Sequence, residues 1–452
     1  MDFLKNIALP QPLEHFQLLL FVMNLLLILF LPSLGFAVGS SLFAVRYSRR
    51  GNENPLERQF ARDLMHTPVF SSGGVTFLLV LPALSLVFLL IQFLQGTPAI
   101  APSLMAFGFL TLLAAVALLK TFRHNLDLKQ ILETNPAAPG VDDMRQSNEA
   151  ALAKTGRWGA VSILLASALC LGAISIAVNR SSWAGVDSVF GLLLDPDFWV
   201  RYIHFLAVAF GATGIGALFF LLHMEASSAT TGETYATFVR TLALRLVVPS
   251  LLVQPLLMIG SIALLPDAAL SGMVYGLAGI SLAFLLGTAI FLYAYTRSGR
   301  TGFVQGAFIT FALALFLVFS KDQIAVRNAT ADQAASLAIA ADRELEALKA
   351  KLGVAPAAMS GQEIYNARCS ACHLFDQKKV GPPYREVIPK YEGKKSNLIA
   401  FIMNPVKVNP AYPNMPNQGL KPVEADSIAT FLLANFAATP TNARVPSEGR
   451  KQ

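Results

Sequence analysis

Charge is scarce in this chain. Only 14% of its 452 residues are Asp, Glu, Lys or Arg, while 54% are hydrophobic, 32 Phe among them. A soluble domain carries about 25% charged residues, so roughly half of the expected solvated surface is missing. That excludes an ordinary cytosolic enzyme and a disordered chain alike. Cysteine is rarer still, at three residues, and the first four long apolar runs contain no Asp or Glu. The net charge of +7 and pI near 9.3 carry no nucleic-acid signal, because the Lys and Arg residues map to loops between apolar runs and to the C-terminal region.

What is present in abundance is apolar sequence long enough to cross a hydrocarbon core, which takes about 20 residues. Eight such runs are expected, at 16–46, 69–95, 99–121, 157–178, 199–224, 241–265, 269–296 and 302–320. They are continuous rather than alternating, which argues for helices and against a barrel. The first exceeds one crossing, so it is tilted, kinked near Pro32 or partly outside the lipid, and it is too long for a cleavable signal peptide. The loops after the first, third and seventh runs hold Arg46, Arg49, Arg58, Arg62, Lys120, Arg123, Lys154, Arg297 and Arg300, whereas the alternate loops hold only Arg180. By the positive-inside rule the basic loops face the cytoplasm and both termini face outward. The expected setting is the bacterial inner membrane, with the termini in the periplasm and lipid around the bundle.

After Ser320 the composition changes. Residues 321–357 are rich in Ala with mixed charge, and Leu337, Leu345, Leu348 and Leu352 recur at near-helical spacing. A helical linker ending at Gly353 is expected, about 30 Å long if it runs some twenty residues, serving as a spacer rather than a coiled coil. Next comes Cys369-Ser-Ala-Cys372-His373. C-x-x-C-H reads as a c-type haem attachment site, in which two thiols form thioethers and the adjacent imidazole ligates iron. A thioredoxin-like pair or a zinc half-site does not explain the His that follows directly. Cys170 lies inside the fourth run and reads as a packing residue.

The stretch GQEIYNARCSACHLFDQKKVGPPY resembles the amino-terminal part of a class I cytochrome c. The resemblance implies one covalent haem c, a domain over 358–440, and a second axial ligand from a later loop. YPNMPNQGL offers Met415 for that role, and Met403, in the apparent helix SNLIAFIMN, is the runner-up. EADSIATFLLAN, at 424–435, matches the closing helix of that family. Residues 441–452 are expected to form a disordered tail.

In the membrane part, VRYIHF followed by GATGIGALFF, together with SGMVYGLAGISLAFLL, resembles the fifth and seventh helices of subunit I of the cytochrome bd quinol oxidases. That resemblance implies one haem b held by His204 and Met273, with Arg201 as a propionate partner, and Gly211, Gly214 and Gly216 admitting a macrocycle or a neighbouring helix. The departures matter as much. The family's first-helix His falls near Leu27, its third-helix acidic residues fall near Pro102 and Leu110, and its quinol-binding loop shrinks to about 266–272. The oxygen-reducing haem pair and its proton path are therefore not expected. Two other haem arrangements are His15 with His204, or a second haem among His66, His124 and His223, against interfacial histidines as the plain reading. His204 and His223 are nineteen residues apart, about 28 Å along one helix, so they cannot share a haem.

The sequence as a whole predicts an all-α protein: a polytopic bundle of about eight spans over 1–320, joined to a C-terminal all-α cytochrome c domain. The expected role is electron transfer between the quinone pool or other subunits of a respiratory complex and a soluble or membrane-bound carrier on the outer face. A self-sufficient quinol:cytochrome c oxidoreductase is the alternative enzymatic reading, and a transporter or structural anchor the non-redox one. Lys378, Lys379, Lys390, Lys394 and Lys395 suit an acidic redox partner or are simply a solvated face.

Overall fold

The computed structural model describes residues 12–50, 54–95, 97–134, 141–179, 182–224, 232–352 and 359–437. The described secondary structure is helical throughout. The chain divides into two compact units, one over 19–329 and the other over 330–437 together with residues 12–18. The expected end of the linker at Gly353 and the tail 441–452 fall outside the described residues.

Among the described residues, eight helices are long and apolar enough to cross a membrane. They are α1 (Leu13–Arg50), α3 (Ser72–Phe93), α4 (Ala101–Thr134), α5 (Val141–Val178), α6 (Pro196–Met224), α7 (Glu233–Ala263), α8 (Gly272–Ser298) and α9 (Gly302–Ala329). A short amphipathic helix, α2 (Pro55–Met65), sits between the first two. Asn54 caps it, its side chain accepting the Leu56 N–H. Helix α1 runs unbroken through Pro32 for 38 residues, about 57 Å, well beyond a hydrocarbon core of about 30 Å.

Successive helices pack as pairs, α4 along α5, α6 along α7 and α8 along α9. The spans α5 and α6 are the most enclosed, with 61% and 67% of their apolar windows buried, against 28% for α7 and α8. Small residues decide the closest crossings. A Cβ on Gly39 would lie 2.1 Å from Thr213 Oγ1, and one on Gly216 would lie 2.3 Å from the Phe36 ring, so α1 and α6 meet almost backbone to backbone. Large apolar side chains such as Phe77, Leu110, Leu252 and Leu286 stay exposed. Water would penalise that pattern, whereas lipid tolerates it.

In the second unit α10 (Ala331–Lys351) is followed by a helical segment at 361–369, then α11 (Lys395–Met403) and α12 (Pro422–Ala437). Helix α10 corrects the expectation of a spacer. Ala335 and Ile339 enter the same core as Ile364, Tyr384, Leu398, Ile402, Ile428 and Leu432. Asp342 accepts the Val423 N–H and Arg343 pairs with Asp426. Of the leucines that suggested a stripe, Leu337 is buried while Leu345, Leu348 and Leu352 are exposed. The Ala-rich face is what lets α10 pack closely on α12 rather than stand free.

Candidate functional site

Ser360 begins the site locally. It opens the helix at 361–369 with a capping box, its hydroxyl accepting the Glu363 N–H while the Glu363 carboxylate accepts the Ser360 N–H at 2.7 Å. The Ser360 N–H and the Ser360 hydroxyl, which donates to Glu363 Oε2 at 2.9 Å, together hold the exposed Glu363 carboxyl below the ordinary carboxylate range. At the first residue of this helix, a Cβ on Gly361 would lie 2.4 Å from Ser427 O and 2.5 Å from Phe431 Cβ. Only glycine lets this helix cross α12 so closely, and the crossing carries Cys369 into the core.

Cys369, His373 and Met415 line one cleft, together with Tyr384, Ile402, Tyr412, Leu432 and others. The His373 ring is fixed on three sides. Nδ1 lies 2.9 Å from the Pro382 carbonyl oxygen. That oxygen can only accept, so Nδ1 carries the proton and Nε2 keeps its lone pair for a metal. Tyr384 stacks on the ring at 5.0 Å between centroids, and Gly381 presses against its edge, where a Cβ would lie 2.2 Å from Cε1. The hold of the Pro382 carbonyl and Gly381 on the imidazole is tertiary. Burial pushes the Cys369 thiol and the Tyr384 hydroxyl up, with the Tyr384 hydrogen bond partly opposing the rise at Cys369.

The two methionine candidates separate. Met415 is half-buried and lines the cleft, whereas Met403 is 8% exposed within the hydrophobic core. The Met415 loop is held by Asn417, which donates to Met403 O at 3.0 Å and accepts the Gly419 N–H at 2.9 Å. Gly419 has φ +61°, a left-handed conformation that glycine adopts without strain. These donors fit a haem c: two thiols and a pre-oriented imidazole on one segment, a thioether on another, and apolar walls between them. Gly381→Val is expected to displace His373 and lower the stability of the C-terminal unit by about 1–3 kcal/mol, read as an earlier thermal transition at the haem absorbance of the full chain.

The lysines are not equivalent. Lys395 is paired with Asp426 at 2.8 Å and Lys379 donates to Ser370 O. Lys378 lies over the Tyr412 ring at 4.8 Å. Lys390 lines the cleft, as does Lys407, which belongs to none of the sequence motifs.

In the first unit, His204 is 8% exposed and lines a second cleft with Arg201, Leu27, Ser261, Asp322 and Gln323, among others. Arg201 Nε lies 3.0 Å from both Asp197 carboxylate oxygens, and Asp197 also accepts from Ser175. Met273 does not line this cleft; it is 63% exposed at the start of α8. Gly211 and Gly214 face Ser250 and Val247 of α7, and Gly216 faces Phe36 of α1, so helices rather than a macrocycle use their lack of a side chain. As a haem b site with two axial side chains, these residues do not fit. Elsewhere, His66 bonds Asp127 at 2.8 Å and Arg123 at 3.0 Å, His15 and His124 are exposed, and His223 stacks on Phe219. Lys321 and Asp322 escape detection in the sequence because the last apolar run ends at 320, whereas α9 continues to Ala329 and takes both into the bundle as an ion pair.

Residues 356–432 match the family model described as "Cytochrome C oxidase, cbb3-type, subunit III". Cytochrome c-551 of Pseudomonas denitrificans is 34% identical over 79 residues, which cover 95% of that protein and 16% of this chain. Cytochrome c-551 of Azotobacter vinelandii is 32% identical over 80 residues, 98% of its length and 17% of this chain. Cytochrome c-552 of Hydrogenobacter thermophilus is 31% identical over 93 residues, 93% of its length and 19% of this chain.

Proposed function

Because the chain belongs through its C-terminal domain to the cytochrome c family, we propose that it is a membrane-anchored one-electron carrier within a respiratory electron-transfer complex. Electrons pass between the quinone pool or a membrane partner subunit and an electron carrier on the outer face, with the C-terminal domain in the periplasm. The observation that carries this reading is the cleft that Cys369, His373 and Met415 share. Haem c supplies the reversible one-electron chemistry, and the chain supplies its attachment, axial ligands and apolar surroundings. Cys369 and Cys372 would anchor it, and its iron would be held by His373, oriented by Pro382 and Gly381, and by Met415. The asymmetric distribution of Lys and Arg between alternate loops supports the outward orientation.

Lys390 and Lys407 at the cleft favour an acidic carrier, because opposite charge speeds encounter and salt screens it. The full chain, reduced in detergent and mixed with an oxidised acidic soluble c-type cytochrome, is expected to be reoxidised at a rate that falls with ionic strength. Replacing Lys390 and Lys407 together with Glu is expected to slow reoxidation at least tenfold at low salt. A haem c that no soluble carrier reoxidises would reject the reading.

A further inference from the structure

We propose that the cleft around His204 binds the head group of a quinone. This deepens the proposed function, resting on the quinone pool being its membrane-side partner. His204 is only 8% exposed, yet it makes no hydrogen bond among the described residues. Its ring nitrogens open onto the space of the cleft rather than into packed side chains, so the imidazole is available to bond a ligand there. The side-chain amide of Gln323 lines the same cleft and likewise has no hydrogen bond among the described residues. Ser261 donates to Met258 O at 2.8 Å and keeps oxygen lone pairs to accept with.

Next comes charge. Both cations near the cleft are matched, Arg201 by Asp197 and Lys321 by Asp322. With its ions paired, the cleft favours a neutral ligand over a phosphate, a carboxylate or a metal cation. The rest of the lining is apolar, with Leu27, Leu171, Phe205 and Phe319 representative. A neutral, flat, largely apolar molecule carrying oxygens at its edge matches these walls and the donors of His204 and Gln323. Quinones have that form, and they reach a cleft among membrane helices by diffusing through the lipid. Leu27 belongs to α1 and Gln323 to α9, so five helices from the two ends of the unit's sequence build one site.

The test uses the full haem-loaded chain in phospholipid nanodiscs, titrated with decylubiquinone and with menadione by equilibrium dialysis. Saturable binding of one molecule per chain is expected for at least one of the two. His204→Leu and Gln323→Leu are each expected to weaken it about three- to tenfold, with the haem c spectrum unchanged. Met273→Leu, outside the cleft, is expected to bind as the parent does. Failure of both quinones to bind, or binding untouched by both cleft variants, overturns the proposal. So does a haem b, detected as a pyridine haemochrome, that is present in the parent and lost in His204→Leu. If quinone does not bind while haem c still exchanges electrons with a soluble cytochrome, the site assignment falls and the electron-carrier reading stands. If quinone binds without that exchange, the site assignment stands and the electron-carrier reading falls.

Discussion

Replacing Cys369 and Cys372 together with serine is expected to abolish covalently bound haem, leaving no haem-staining band on a denaturing gel. A serine hydroxyl lacks the nucleophilic thiolate that builds a thioether, so no single residue nearby compensates. The damage should spread within the C-terminal unit. Cys369 is part of a core with Ile364, Tyr384, Ile428 and Leu432, and several of the same apolar side chains line the cleft. Without its cofactor that lining would face water. The first unit has a core of its own, around Phe60, Leu218, Val247, Tyr295 and Phe311. The double variant should therefore still insert in the membrane and keep most of its helical circular dichroism. A chain that kept stoichiometric covalent haem would refute the attachment site.

The second large effect concerns Met415. Its replacement by His is expected to lower the haem c reduction potential by on the order of 0.1–0.3 V, within the roughly 0.8 V range that axial ligands command. A thioether is the weaker donor and favours the reduced state, and imidazole in its place reverses that preference. Met403→Leu provides the contrast. Met403 is packed in the core rather than along the cleft, and a swap of similar volume costs less than about 1.5 kcal/mol. Its potential should match that of the parent in a spectroelectrochemical titration. The opposite pattern, an unchanged Met415→His and a shifted Met403→Leu, would transfer the axial role to Met403.

Local sequence carried far into the C-terminal domain because a haem c site is written mostly in one short segment. Cys369, Cys372 and His373 need only a helical turn to converge, and Ser360 and Glu363 announce where the helix starts. Met415 was legible through its loop, but its preference over Met403 depends on which methionine the fold turns toward the cleft. Helix α10 reads as a spacer because its small, mixed-charge composition says nothing about a neighbour. Only the packing of Ala335 and Ile339 discloses one.

The membrane part divides in the same way. Apolar length and scarce charge determined the eight long apolar helices seen among the described residues, since backbone groups in lipid must be satisfied within each segment. Nothing in that pattern records which faces meet. The pairing of Gly39 with Thr213, the burial of Lys321 beside Asp322, and the separation of Met273 from His204 all follow from helix rotation and close approach. By itself, then, the sequence determined the helical bundle and the C-terminal cytochrome c domain with its C-x-x-C-H motif. Tertiary structure alone decided which side chains share a cleft, because contacts between residues hundreds of positions apart depend on packing rather than on any local propensity.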